Sequence, residues 1–133
     1  MEVDKGCQIG PERVSPEEVA RFANLTGDHN SIHFGPDAIV HGVLLFGKIS
    51  AAFWRRFGDG TYAIEIARFR FHRPVSPGED FLIFIGDPTT VISRERLGQQ
   101  QCPVVVKKTD GRGREKLVAS GEIIIIPGNC DQT

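Results

Sequence analysis

The chain leans to neither sign of charge: 16 Lys and Arg stand against 17 Asp and Glu, a formal net charge of −1. A general nucleic-acid binder carries a strong basic excess, so that class is set aside. Cysteine is scarce. Cys7, Cys102 and Cys130 are odd in number, far apart and without C-x-x-C spacing. That argues against a disulfide framework or zinc finger and for a reducing cytosol. No apolar run approaches the roughly 18 residues of a membrane-spanning helix, so no membrane partner is expected. Met1-Glu2-Val3-Asp4-Lys5 also lacks the apolar run of a signal peptide. Internal repeats and low-complexity tracts are missing, and so is the length for two domains. What 133 residues, 40% apolar and 25% charged, do provide is one soluble, cytoplasmic domain able to bury its own core.

Ser15-Pro16-Glu17-Glu18 marks a helix start, with a hydroxyl at the N-cap, proline first and glutamate third. Val19, Phe22 and Ala23 recur at helical steps, and Gly27 is the stop. Residues 28–37 read as a polar loop. A second helix runs from about Gly42 to Phe57, with Lys48 its only charge before Arg55 and Arg56. Such a helix should be buried nearly all round, its two arginines at the negative end and Gly58 closing it.

After Gly60 the pattern is sheet. Tyr62, Ile64 and Ile66 alternate, then the apolar parity switches to Phe69 and Phe71, which predicts a bulge near Ala67-Arg68. Pro74–Gly78 is a turn, and strands follow at about 80–86, 90–97, 101–109 and 116–126. The domain therefore covers 1–127, with 128–133 a frayed tail. A long apolar helix followed by consecutive strands is an α+β plan, an antiparallel sheet wrapped on that helix. One sheet covers one side of the helix, so a partner subunit is expected on the other and a dimer results.

Chemistry has few places to sit. Asp28 and His33, five residues apart in the loop, can share a water: the carboxylate accepts its proton and the imidazole relays one. The same spacing also suits an ordinary polar loop. His41-Gly42 opens the apolar helix, whose first N–H groups lack internal partners and lie at its positive end. Glycine there lets a substrate oxygen approach, as in an oxyanion hole, or simply eases the tight turn into the helix. Asp28, His29, His33 and His41 have no regular ligand spacing, and the carboxylate–imidazole pair accounts for them without a metal. Arg55, Arg56, Arg68, Arg70, His72 and Arg73 form a local basic cluster. It suits either phosphates and acidic partners or a solvated strand and helix end.

Three motifs together carry a resemblance. Residues 22–33, Phe-Ala-Asn-Leu-Thr-Gly-Asp-His-Asn-Ser-Ile-His, resemble the hydratase motif of the MaoC-like, (R)-specific enoyl-CoA hydratase family. Ile39-Val40-His41-Gly42-Val43-Leu44-Leu45 is similar to the segment leading into that family's central helix. Arg68-Phe69-Arg70-Phe71-His72-Arg73-Pro74-Val75-Ser76-Pro77-Gly78-Glu79-Asp80 resembles its "RF…PV.PGD" strand-turn. In the right order, these cover most of residues 15–85.

The resemblance implies a hot-dog fold and a 2-enoyl or (R)-3-hydroxyacyl thioester of coenzyme A or an acyl carrier protein, hydrated or dehydrated. It makes Asp28 and His33 the catalytic pair and gives the Gly42 N–H the thioester oxygen. Asn30, Ser31, His41 and Val43 fall on the substrate-binding side, and no cofactor or metal is required. Two departures stand out. Ser31 occupies a position where the family usually has proline. Only seven residues separate His33 from His41, where the family carries a longer segment over the acyl-chain entrance. Seven extended residues still span roughly 25 Å, enough for both motifs to reach one site. A wider or shallower pocket, open to a bulky acyl group, is the expectation. The alternatives are a partner-dependent hot-dog subunit that binds acyl thioesters, pairing with a second hot-dog chain, and a thioesterase.

Overall fold

The structure, a computed structural model, describes residues 6–58, 62–90 and 98–127. In chain order it contains β1 (Cys7–Arg13), α1 (Pro16–Thr26), a short 3-10 turn (Ser31–His33), α2 (Gly42–Phe57), β2 (Tyr62–Phe71), β3 (Asp80–Ile85), β4 (Thr89–Thr90), β5 (Gln100–Thr109) and β6 (Glu115–Pro127). The strands form one antiparallel sheet in the order β1-β3-β5-β6-β2, with β4 paired to β5. This is the α+β plan of the hot-dog fold: a curled sheet holding one long helix.

Helix α1 begins as its sequence requires. The Ser15 Oγ accepts from the Glu18 N–H at 3.1 Å, and the Glu18 carboxylate accepts from the Ser15 N–H at 3.2 Å. Gly27, at φ 81°, ends the helix in the left-handed region, donating to the Ala23 carbonyl. Glu18 also meets the Lys48 ammonium of α2 at 2.7 Å, which ties the two helices together. That hydrogen bond, aided by the Ser15 backbone and opposed by partial burial, holds the Glu18 carboxyl below its ordinary range. A carboxylate depressed in the fold contributes stability above the ordinary glutamate value of about 4.3 and loses it as pH falls through and below that value. Urea unfolding across pH 3–7 is therefore expected to show an acid decline that Glu18→Gln flattens. An unchanged slope in the variant would assign the decline to other carboxylates.

The inner face of the sheet presents Phe81, Ile83, Ile85, Cys102, Val104, Val106 and Ile123, all buried, to Leu45, Ile49, Ala52 and Phe53 of α2. Burial pushes the Cys102 thiol up to about 11, as desolvation of a thiolate requires. The bulge expected near Ala67-Arg68 lies between Ile66 and Arg68 in the β2–β6 register.

Three expectations need correction. Helix α2 is not buried all round within one chain. Val43 is 74% and Trp54 57% exposed, and with Gly47 and Ser50 they follow one stripe at helical steps. Within the loop, residues 31–33 make a 3-10 turn because the Asn30 Oδ1 accepts from the Ile32 N–H at 3.2 Å. Strand β1 was not anticipated at all. It is an edge strand and carries a register shift between Ile9 and Glu12, where Pro11 is tolerated. Of the strand expected at 90–97, Thr90 belongs to β4 while 91–97 lie outside the described residues, as does the expected tail at 128–133.

Candidate active site

The C-terminal end of α1 sets the first functional side chain. The Thr26 Oγ1 donates to the Phe22 carbonyl at 2.7 Å and accepts from the Asp28 N–H at 3.2 Å. The Asp28 Oδ1 in turn accepts from the Asn30 N–H at 3.3 Å. One carboxylate oxygen is thus engaged by the loop, and Oδ2 is left to face two imidazoles.

The first imidazole is His33, presented by the 3-10 turn. Its Nδ1 donates to the Ile39 carbonyl at 2.8 Å, which in the neutral ring leaves the lone pair on Nε2. That Nε2 lies 3.9 Å from Asp28 Oδ2. The short segment closes on itself to hold this geometry. The Ile39 N–H donates to the Ile32 carbonyl at 3.0 Å, and the Val40 N–H donates to the Val75 carbonyl at 2.8 Å.

The second imidazole is His41, the N-cap of α2. It is 2% exposed and stacks on His33 with ring centroids 3.5 Å apart at 24°. Its Nε2 donates to the Asp28 carbonyl at 3.3 Å and lies 3.9 Å from Asp28 Oδ2. Phe22 of α1 covers its other side at 4.7 Å. With Nε2 donating, the Nδ1 is an acceptor, and it is buried without a partner among the described residues. His33 is 8% exposed, whereas the Asp28 side chain is 48% exposed. The site is therefore walled by its histidines and open at its carboxylate.

The structure thus brings Asp28, His33 and His41 together, and Asn30 serves as the cap that shapes their loop. Gly42 is the first residue of α2, and the Leu45 N–H closes the first helical bond onto His41. The N–H groups of residues 42–44 make no backbone bond among the described residues, as helix geometry dictates. A Cβ at Gly42 would meet the Phe71 ring at 3.3 Å. Ser31 and Val43 are exposed and touch neither imidazole in any recorded bond. The place of His41 in the cluster was not legible in the spacing, since it depends on Phe22 and Asp28 reaching it across thirteen or more residues.

The same three side chains offer metal-ligand atoms all within 4.8 Å of one another. The fit to an ion is poor. Rings stacked at 24° direct their lone pairs nearly parallel rather than at one point, and His41 Nε2 is already donating to a carbonyl. A carboxylate and an imidazole 3.9 Å apart are instead spaced for one water at ordinary hydrogen-bond lengths. A hollow of about 520 Å³ lies elsewhere, where Arg13 pairs with Asp80 and Lys107 with Glu115.

The sequence of residues 4–84 matches the MaoC like domain. The chain belongs to that family. Among curated proteins no sequence matches. Solved structures of similar fold include the (R)-hydratase PhaJ1 from Pseudomonas aeruginosa, with a TM-score of 0.70 at 22% identity over 93% of this chain and 82% of that one. The (R)-hydratase from A. caviae involved in PHA biosynthesis gives 0.68 at 22% identity, over 92% and 95%. An acyl-CoA hydrolase from Staphylococcus aureus gives 0.63 at 13%, over 97% and 69%. At such identities these likenesses establish the fold of this MaoC-like domain, while its chemistry is argued from Asp28, His33 and His41.

Proposed function

We propose that this MaoC-like domain hydrates 2-enoyl thioesters to (R)-3-hydroxyacyl thioesters and catalyses the reverse dehydration. The observation that carries the reading is the His33 ring. Its tautomer is fixed by the Ile39 carbonyl, and its free Nε2 stands a water's width from the Asp28 carboxylate. A water held between them loses a proton to this pair as its oxygen bonds to the β-carbon. The π electrons move to the α-carbon and the thioester carbonyl, whose developing oxyanion accepts from the Gly42 N–H at the positive end of α2. The proton is then delivered to the α-carbon, so atoms and charge balance without oxidant or reductant. Asn30 holds the carboxylate loop, His41 packs behind His33, and Ser31 and Val43 flank the acyl group. The seven-residue connection leaves the flank beside Ile32 and Phe34 exposed, which favours a wide acyl pocket.

The functional unit in this reading is a homodimer. Strand β2 ends the described sheet with an unpaired edge, and the Val43–Trp54 stripe of α2 is left bare, a combination a second copy covers. A second hot-dog chain is the alternative occupant. A cytoplasmic setting fits the free thiols of Cys7 and Cys102. The fold shared with an acyl-CoA hydrolase supports a second reading, attack of the same water on the thioester carbonyl. Purified protein mixed with crotonyl-CoA separates the two. Hydration removes the enoyl absorbance and leaves the thioester intact, whereas hydrolysis releases free thiol.

A further inference from the structure

Strand β5 breaks its own pattern at its far end. Cys102, Val104 and Val106 alternate onto the inner face of the sheet and are fully buried. Lys108 takes the next place in that alternation, with its side chain only 16% exposed. An ammonium at the rim of a core loses water and needs bonds in exchange. Lys108 finds them in the turn between β2 and β3. Its Nζ donates to the Pro74 carbonyl at 2.7 Å and to the Glu79 Oε1 at 3.1 Å. The same Oε1 accepts from the Ser76 N–H at 3.0 Å, and the Glu79 N–H donates to the Ser76 carbonyl at 3.0 Å. Lys108 and Glu79 therefore hold the residues on either side of Val75.

Val75 is buried, and its carbonyl accepts from the Val40 N–H at 2.8 Å. What flanks Val40 gives this bond its weight. Before it stands Ile39, whose carbonyl accepts from His33 Nδ1 and so leaves Nε2 free. After it come His41, stacked on His33, and Gly42, which opens α2. Other bonds of the segment are internal, such as Ile39 N–H to the Ile32 carbonyl and Ala38 N–H to the Gly35 carbonyl. Among the described residues, the Val40–Val75 bond is the one that joins residues 29–41 to the β2–β3 turn and, through it, to the sheet.

We propose that Lys108 is a positioning residue for the acid–base pair. Its ammonium braces the turn so that the Val75 carbonyl holds Val40. Val40 in turn sets the Ile39 carbonyl that fixes the His33 tautomer, and the start of α2. Lys108 bonds to the turn and not to Asp28, His33 or Gly42, so it acts through the backbone. The placement rests on these bonds, and its effect on turnover rests on the hydratase reading above. A reacting group displaced by about 1 Å can lose on the order of a hundredfold in rate, so a small relaxation of the turn reaches the chemistry.

Lys108→Met, which keeps the apolar stem and removes the ammonium, tests the brace. Lys107→Met is the control: Lys107 is the adjacent residue, but it pairs with Glu115 and lies over the Phe84 ring. Long-range proton–nitrogen NMR spectra of the neutral imidazoles report the His33 tautomer without any substrate. The parent is expected to show one protonated and one bare nitrogen, and folded Lys108→Met to show both tautomers. That variant is also expected to hydrate crotonyl-CoA with kcat about 10- to 100-fold lower and KM within about twofold of the parent. Lys107→Met should match the parent in both readings. Circular dichroism establishes which variants keep the fold. Should Lys108→Met not fold, Glu79→Gln carries the test. It removes the charge, keeps an acceptor for the Ser76 N–H, and is expected to show the same tautomer change in lesser degree.

A parent-like His33 spectrum in the folded variant that carries the test overturns the role. So does an equal change in Lys107→Met, or a parent in which His33 is not held in one tautomer. If the spectrum changes as expected but the parent turns over no enoyl thioester, the hydratase reading fails and the positioning role stands. If parent and Lys108→Met hydrate crotonyl-CoA equally with the same spectra, the role fails and the hydratase reading stands.

Discussion

Asp28→Asn and His33→Ala are each expected to lower kcat for hydration of crotonyl-CoA by about 10²- to 10⁴-fold, the range that a positioned acid–base group supplies. Asparagine keeps the volume of Asp28, and its side-chain oxygen still accepts from the Asn30 N–H, so the loss reports the charge on the oxygen facing His33. Alanine at position 33 removes the Nε2 base and leaves the Ile39 carbonyl without its donor. In the proposed mechanism both groups act on one water, so the double variant should be little slower than the worse single one. Full rates in either folded single variant would remove the pair from the mechanism.

Phe53→Ala is expected to cost about 3–5 kcal/mol of folding stability, the loss typical of truncating a buried aromatic ring. Phe53 is 1% exposed in the centre of α2, within the cluster formed by Ile49, Ile83 and Ile123. Its neighbour Trp54 points the other way and is largely exposed in the single chain. Trp54→Ala should therefore leave the subunit folded and instead weaken self-association, as read by sedimentation at a series of concentrations. Chemical unfolding of Phe53→Ala checks the first effect. A Trp54→Ala protein that associates as tightly as the parent would place the dimer contact elsewhere.

The contrast between these adjacent residues shows how much of the molecule its sequence declares. Helix α1 was legible because its capping signals are local: Ser15, Pro16 and Glu18 lie within four residues of one another. The bulge was legible for the same reason, since the switch from Ile64 and Ile66 to Phe69 and Phe71 is written along one strand. What depends on distant partners was hidden. Strand β1 hides behind Gly10-Pro11 and forms because β3 pairs with it from seventy residues away. The stacking of His41 on His33 requires the loop to return on itself, whereas the sequence placed His41 only at the helix start and, by resemblance, on the substrate-binding side. The basic cluster was legible as composition alone. Its matching depends on Glu12, which pairs with Arg55, and on the Leu117 carbonyl, which accepts from Arg73, both far away along the chain.

The seven residues between His33 and His41 have a structural counterpart as well. Within them the Ile39 N–H donates to the Ile32 carbonyl and the Ile39 carbonyl accepts from His33 Nδ1, so the short segment also fixes the His33 tautomer. Length and chemistry are linked at that point.

The most direct test of the hydratase account follows purified protein with crotonyl-CoA by two readings of one reaction, enoyl absorbance at equilibrium and free thiol. The account predicts that absorbance falls, thiol stays at background, and the product is the (R)-3-hydroxybutyryl thioester. Thiol released in step with substrate loss, or an (S) product, would contradict it.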